Sequence, residues 1–333
     1  MGEKLTTIGI DVSKKSLDVC IYEGEKKSKL LKFNNEEKGY EKLLNYVEKE
    51  VEEGEKIYIM ESTGIYHLRL AIYLYKNGSK VVVLNPYVIK KYSEMQMKRS
   101  KTDEIDARLI SEYGYENKKR LLYFKPNSQE QYEIEQMLKL ISNYKDLISK
   151  LCNYREGIKH NPYPSSKVLR DIEKQITNLK ESIKKLEKEI EKKLKKSFKK
   201  EYEQLRSIKG VGPMLSASII SILNNFEEFS NAKKVSAYLG ICPGVKESGT
   251  SVRGKGRIIK QGNRYIRKIL YMCSITAMRY NKSCRELSER LKAKGKKWKE
   301  IVIAVANKLI RQAYGILKNG TFYEDDYCCK MLK

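Results

Sequence analysis

The chain has 333 residues, more than one hydrophobic core usually serves, and carries 68 Lys and Arg against 42 Asp and Glu for a formal net charge of +26. Such an excess calls for a polyanionic partner, nucleic acid first among them. It leaves little room for membrane spans, because no apolar stretch nears the ~20 residues needed to cross a bilayer, and the N-terminus lacks a signal peptide's apolar centre.

From Leu5 to Tyr22 two apolar runs, Ile8-Gly9-Ile10 and Leu17 to Tyr22, flank polar Ser13-Lys14-Lys15 and read as a β-hairpin. Lys29 to Phe33 fits a third antiparallel strand. Glu37 to Glu53 is an amphipathic helix with Tyr40, Leu43, Leu44 and Val47 on one face. Ile57 to Met60 and Val81 to Leu84 are short continuous apolar runs, as buried parallel strands are, with a helix from Tyr66 to Lys76 between them. The order gives an α/β domain of ribonuclease H type, residues 1–125.

Acids fall where that domain places strand ends. Asp11 closes Thr7-Ile8-Gly9-Ile10, Glu61 closes Ile57 to Met60, and Asp103 and Asp106 share a face of a helix that they open. Carboxylates crowded at strand ends resist joint ionisation unless a cation neutralises them. Magnesium is the natural counter-ion, and phosphodiester chemistry its usual purpose. Asp18 alternates with Leu17 and Val19 and is expected to face solvent; Glu104 falls on another helical face.

Residues 126–204 change to long Lys/Glu-rich helix. Ile172, Ile176, Leu179, Ile183, Leu186 and Ile190 recur at steps of four and three, and an earlier arm carries Ile134, Met137, Leu138, Ile141, Ile148 and Leu151. Asn161-Pro162-Tyr163-Pro164 separates the arms. The pattern fits a coiled-coil hairpin, arms that pair with another subunit, or an intramolecular packing stripe.

Residues 205–320 form a third, mostly helical region. Lys209-Gly210-Val211-Gly212-Pro213 precedes an apolar helix and resembles a helix-hairpin-helix, whose backbone N–H groups face a phosphate; a plain capping turn fits as well. From Gly249 to Leu270 there are seven cations, Arg253, Lys255, Arg257, Lys260, Arg264, Arg267 and Lys268, and no acid. Glycines make the first half a flexible loop able to follow a phosphate backbone, and Tyr265 to Tyr280 is helical. Residues 321–333, with Tyr323-Glu324-Asp325, read as a loose acidic tail. Seven scattered cysteines and two histidines, His67 and His160, offer no zinc spacing and fit a reducing cytoplasm. His67 is read as a surface or packing residue.

Asp11 in Gly9-Ile10-Asp11-Val12-Ser13, Glu61 in Met60-Glu61-Ser62-Thr63-Gly64, and Lys101-Thr102-Asp103-Glu104-Ile105-Asp106 together resemble the DEDD transposases of bacterial insertion sequences, whose N-terminal domain is like the resolvase RuvC. Leu239-Gly240-Ile241-Cys242-Pro243, Ser248-Gly249 and Lys260-Gln261-Gly262-Asn263-Arg264 are similar to the second half of the same family. The resemblance implies that Asp11, Glu61, Asp103 and Asp106 bind Mg2+, or Mn2+, while Ser248 attacks the DNA phosphate; Thr250 and Ser251 are nearby competitors. It further implies donor and target DNA as partners, a structured guide RNA, a dimer or tetramer in which subunits share active sites, and a bacterial cytoplasmic, nucleoid-associated setting. Arg253, Arg257 and Lys260 are the candidates for holding the phosphate. The same acids without the serine would suit a water-using junction nuclease or an invertase without RNA; a non-catalytic nucleic-acid scaffold is the third possibility.

Overall fold

In the computed structural model the chain divides into two compact units, Met1–Pro126 and Asn127–Lys333. The structure describes residues 4–24, 28–51, 54–62, 64–97, 103–227, 229–244, 247–248, 252–253, 257–259 and 262–325, with the backbone alone at 28, 103, 243–244, 247–248, 252–253 and 257.

In the first unit, β1 (Leu5–Val12), β2 (Ser16–Tyr22) and β3 (Ser28–Asn34) form an antiparallel meander, followed by α1 (Glu37–Glu50). Then come β4 (Glu55–Glu61), α2 (His67–Lys76), β5 (Lys80–Leu84), α3 (Pro86–Met95) and α4 (Asp103–Glu116). The sheet order is β3-β2-β1-β4-β5, with β4 parallel to both β1 and β5. Alternation along each strand sorts side chains to two faces. Ile8, Ile10, Val19, Tyr58 and Met60 pack in one buried cluster with Tyr40 and Leu43 of α1 and Leu70 of α2. Ile57, Ile59 and Val82 turn the other way and pack with Ile110 of α4 and Ile89 of α3. Helix α3 is an addition to the predicted elements, and its start is set by Asn85-Pro86: the Asn85 side chain accepts from the Tyr87 amide and proline takes the first helical position.

The second unit begins with α5 (Gln129–Lys159), opened by a reciprocal cap between Ser128 and Gln131. It packs against α6 (Ser166–Ser197). Ion pairs Lys193–Glu133 at 2.6 Å and Lys145–Glu187 at 3.2 Å show that the two run antiparallel. Then follow α7 (Lys199–Ser207), α8 (Pro213–Ser221), α9 (Ala232–Tyr238), α10 (Arg264–Tyr280), α11 (Lys282–Ala293) and α12 (Trp298–Asn319). One buried core joins Ile134, Leu138, Ile183 and Ile190 of the hairpin to Leu215, Phe226, Leu270 and Leu309. The hairpin's inner part therefore belongs to the same core as the helices that follow it.

Between α9 and α10 lie two nested antiparallel ladders, β6 (Pro243–Gly244) with β9 (Arg257–Ile258), and within it β7 (Glu247–Ser248) with β8 (Val252–Arg253). The glycine content alone suggests a flexible loop here. Backbone pairing around β-branched Val252 and Ile258 makes it a hairpin, and the glycines 249, 254 and 256 lie outside the described residues. Among the described residues no helix is long and apolar enough to cross a membrane.

Candidate functional site: the carboxylate end of the sheet

Asp11 and Glu61 are brought together by strand register. Ile10 pairs with Met60 across parallel β1 and β4, so the next residues, Asp11, last but one of β1, and Glu61, last of β4, follow side by side at the same end of the sheet. Both follow the alternation of Gly9 and Ile59 onto the face that α4 covers.

The same face fixes where α4 begins. Thr7 Oγ1 donates to the Ser111 carbonyl at 2.9 Å. Gly9 lies against Ala107 and Ser111, where a Cβ would run into the Ala107 carbonyl and come within 2.5 Å of the Ser111 nitrogen. Two residues along a strand span roughly 6.7 Å and four along a helix about 6 Å, so α4 runs antiparallel to β1 and its first turn, 103–107, comes level with Asp11. Asp106 is half-buried there and Glu104 is exposed. Asp103 lies in the same turn, and its side chain is outside the described set. Acids in a first helical turn are also favoured by the unpaired N–H groups at that end.

Asp18 departs from expectation. It pairs with Asp11 across β1 and β2, faces α4 and is only 6% exposed. Lys32 Nζ lies 3.1 Å from its Oδ1, while Oδ2 is buried with no hydrogen-bond partner among the described residues. Alternation with Leu17 and Val19 is a sound reason to separate their faces, but both faces of this sheet are covered. A helix some 90 residues downstream covers the second one, which no local pattern announces.

Asp11, Glu61, Asp106 and Asp18 offer oxygen donors alone, the type hard divalent cations take. A buried carboxylate oxygen without a partner is where such a cation would lower the energy. Among the described residues no three His, Cys, Asp or Glu side chains stand close enough to form a ready-made metal group. The acids fit a divalent cation by chemistry and strand placement. His67 is half-buried at the start of α2, and burial holds its imidazole below the usual value, in keeping with packing.

In the second unit, Ser248 stands on β7 in register with Val252, and Arg253 opposite Glu247. Arg257 belongs to β9. Lys255, Lys260, Thr250 and Ser251 lie outside the described residues. Arg264 and Arg267 line one hollow of about 570 Å³ with Lys268 and Tyr271. Arg264 is exposed. Arg267 is half-buried and donates to the Leu239 carbonyl at 2.9 Å, so part of its guanidinium anchors α10 to the end of α9.

At the turn between α7 and α8, Gly210 has φ +103° and lies against α10, where a Cβ would sit 2.6 Å from that of Ala277. Gly212 is the N-cap of α8, with Pro213 at its first position. Lys209 is ion-paired with Asp325. The segment read as a loose tail is thus tied down through residue 325. Tyr323 N–H donates to Ser207 Oγ at 2.9 Å and Tyr323 Oη to Asn281 Oδ1 at 2.9 Å. Short polar segments without periodicity give no sequence signal for such docking. Residues 326–333 are outside the described set.

Comparison with known proteins covers both units. Residues 8–157 match a family described as Transposase, of the DEDD type, and residues 202–289 match one described as Transposase IS116/IS110/IS902 family. The chain is similar to the pilin gene-inverting proteins of Moraxella lacunata, 26% identical, and Moraxella bovis, 25% identical, in each case over 95% of this chain and 96% of the relative. It is also 23% identical to a probable family 20 transposase of Pseudomonas aeruginosa, over 79% of this chain and 84% of that protein.

Proposed function

Because the chain belongs to the IS110/IS116/IS902 transposases, DNA-cleaving and rejoining enzymes, we propose that it recombines DNA through a covalent serine ester, using the four motif acids as its divalent-cation site. The observation that carries this reading is Asp11 beside Glu61 at the ends of neighbouring parallel strands, level with the acidic first turn of α4.

A bound Mg2+ or Mn2+ supplies Lewis-acid shielding of the phosphate and eases deprotonation of an attacking alcohol. Asp11, Glu61, Asp103 and Asp106 would hold it. Ser248 Oγ attacks the phosphorus, a new serine O–P bond forms, the P–O3′ bond breaks, and the 3′ oxygen leaves as a hydroxyl, taking up a proton as the serine loses one. A second strand's 3′ hydroxyl then reverses the step, so the ester conserves the bond and no ATP is needed. Arg253 and Arg257, on the strands of the same nested hairpin, together with Lys255 and Lys260, would neutralise the phosphate during attack. Lys209 to Gly212, as a helix-hairpin-helix, with Arg264 and Arg267, would contact the backbone nearby.

The acids and the serine belong to separate compact units, which permits an active site shared between subunits of a dimer or tetramer held by the α5–α6 hairpin as a coiled coil. The charge of +26 leaves ample room for a structured guide RNA besides two DNA duplexes. A second reading is favoured by the pilin gene-inverting relatives, which match along nearly their whole length: site-specific inversion without a guide.

Trapping on a denaturing gel tests the serine. Ser248→Ala is expected to abolish the covalent protein–DNA species, and cleavage that persists with free 5′ phosphates would replace the ester by hydrolysis. Sequencing RNA that co-purifies with the protein separates guided transposition from unguided inversion.

A further inference from the structure

Helices α9, α11 and α12, with Cys242 at the foot of the nested hairpin, enclose a groove of about 750 Å³. Cys242 joins it to the Gly249–Leu270 stretch, its carbonyl accepting from the Ile259 N–H at 3.2 Å. Lys233 of α9, Arg290 of α11, and Lys308 and Arg311 of α12 line it, and among the described residues none of the lining is an Asp or Glu. Lys308 and Arg311 stand one turn apart on one face of α12. Elsewhere in this unit lysines meet acids: Lys193 with Glu133, Lys145 with Glu187, Lys268 with Asp146. The four groove cations have no ion pair among the described residues.

The walls are fixed by their own hydrogen bonds. Asn307 Nδ2 donates to the Ile241 carbonyl at 3.3 Å and to the Ile303 carbonyl at 3.1 Å, tying the end of α9 to α12. Gln312 Nε2 donates to Ser283 Oγ at 2.8 Å, tying α12 to α11. Lys308 and Arg311 also line an adjoining hollow with Glu324 and Asp325, but on the groove side the four cations meet no acid among the described residues, and a polyanion laid along the groove would be attracted to them. Among the described residues the lining holds no aromatic ring on which an unpaired base could stack, the usual device for single strands and RNA loops.

We propose that this groove is a docking site for the phosphodiester backbone of duplex DNA, distinct from the contacts at the serine-bearing hairpin. The proposal rests on the recombinase reading for its choice of DNA, but it concerns binding alone. A duplex laid here adds a sequence-independent hold on a DNA arm while strand exchange proceeds at the acids and the serine.

Metal-free binding to a random-sequence DNA duplex, measured against salt, tests it without any catalytic step. Replacing Lys233, Arg290, Lys308 and Arg311 by Gln is expected to flatten the slope of log affinity against log salt by roughly 3 to 4, about 0.9 for each phosphate no longer neutralised, and to weaken binding roughly 100-fold or more near 0.1 M salt. The charge-matched control replaces Lys174, Lys180, Lys184 and Lys188, all exposed on α6, by Gln. Equal losses in the control and groove variants would reduce the effect to net charge and overturn the proposal. So would a groove variant that keeps DNA affinity and loses only duplex RNA, which would mark the groove as an RNA site. Should the fourfold variant fail to fold, Lys308→Gln with Arg311→Gln is expected to lower the slope by about 2, and an unchanged slope there would reject the groove. A wild-type protein that binds duplex but never cleaves it would defeat the recombinase reading and leave this result standing.

Discussion

Asp18 lies directly opposite Asp11 across β1 and β2, both on the face beneath α4, and one of its buried carboxylate oxygens has no hydrogen-bond partner among the described residues. Two carboxylates so placed are costly unless a cation lies near them, and Lys32 reaches only the other oxygen. Asp18 is thus expected to position and support the cation proposed at the motif acids. Asp18→Asn should keep the fold, since Asn retains the shape and its neutral amide removes the repulsion, and should weaken Mg2+ affinity about 10-fold by calorimetric titration. Unaltered affinity would restrict Asp18 to its pair with Lys32.

Metal addition should itself report on Asp11 and Glu61. A ligand that binds only the folded state stabilises it by about 2.7 kcal/mol at 100 times its dissociation constant. Urea unfolding followed with and without Mg2+ should show a gain of that order in the wild type, and little in Asp11→Asn or Glu61→Gln. Equal gains in all three proteins would place the cation elsewhere.

Gly9 connects the fold to the site. A methyl group there meets the Ala107 carbonyl and the Ser111 nitrogen, backbone atoms that cannot swing aside, so α4 would have to lift from β1. Gly9→Ala is expected to cost about 1 to 3 kcal/mol as an overpacked contact. Because the displaced helix carries Asp103 and Asp106, DNA cleavage should fall further than the loss of folded protein explains. Cleavage that merely tracks the folded fraction in denaturant would separate helix position from activity.

How much of this the sequence carries depends on whether the signal is local. Strands of the first sheet announce themselves by apolar runs, and Asp11 and Glu61 by closing them. The hairpin arms show in the spacing of Ile172, Ile176 and Ile183. Burial of Asp18 is invisible because it depends on α4, and β2 alone reads as a strand with one wet face. The groove cations are invisible for a related reason: Lys233, Arg290 and Lys308 lie far apart in the chain, in helices whose composition resembles the rest of a basic protein. Contiguous charge, as in Gly249 to Leu270, is easy to see, while charge assembled by helix packing is not.

Lys209 and Asp325 offer a last test, because the ion pair occupies the lysine that the sequence assigns to DNA backbone. The Lys209 ammonium, with a smaller part from Tyr323 Oη and the Lys282 amide, holds the Asp325 carboxyl below its ordinary value. A carboxylate depressed in the folded state contributes stability that is fully present above its unfolded value of about 3.9 and is lost as pH falls through the lower folded value. The tail contact should therefore persist at neutral pH and down to about pH 4, and release in stronger acid. The NMR shift of the Tyr323 amide, which donates to Ser207, reports it; in Asp325→Asn that signal should lose its acid transition. Freed from its partner, Lys209 becomes available to phosphate, so Asp325→Asn should bind duplex DNA up to about fivefold more tightly, the roughly 1 kcal/mol upper range of an exposed ion pair. Lower affinity in that variant would mean that the docked tail supports the α7–α8 turn rather than competing with DNA for it.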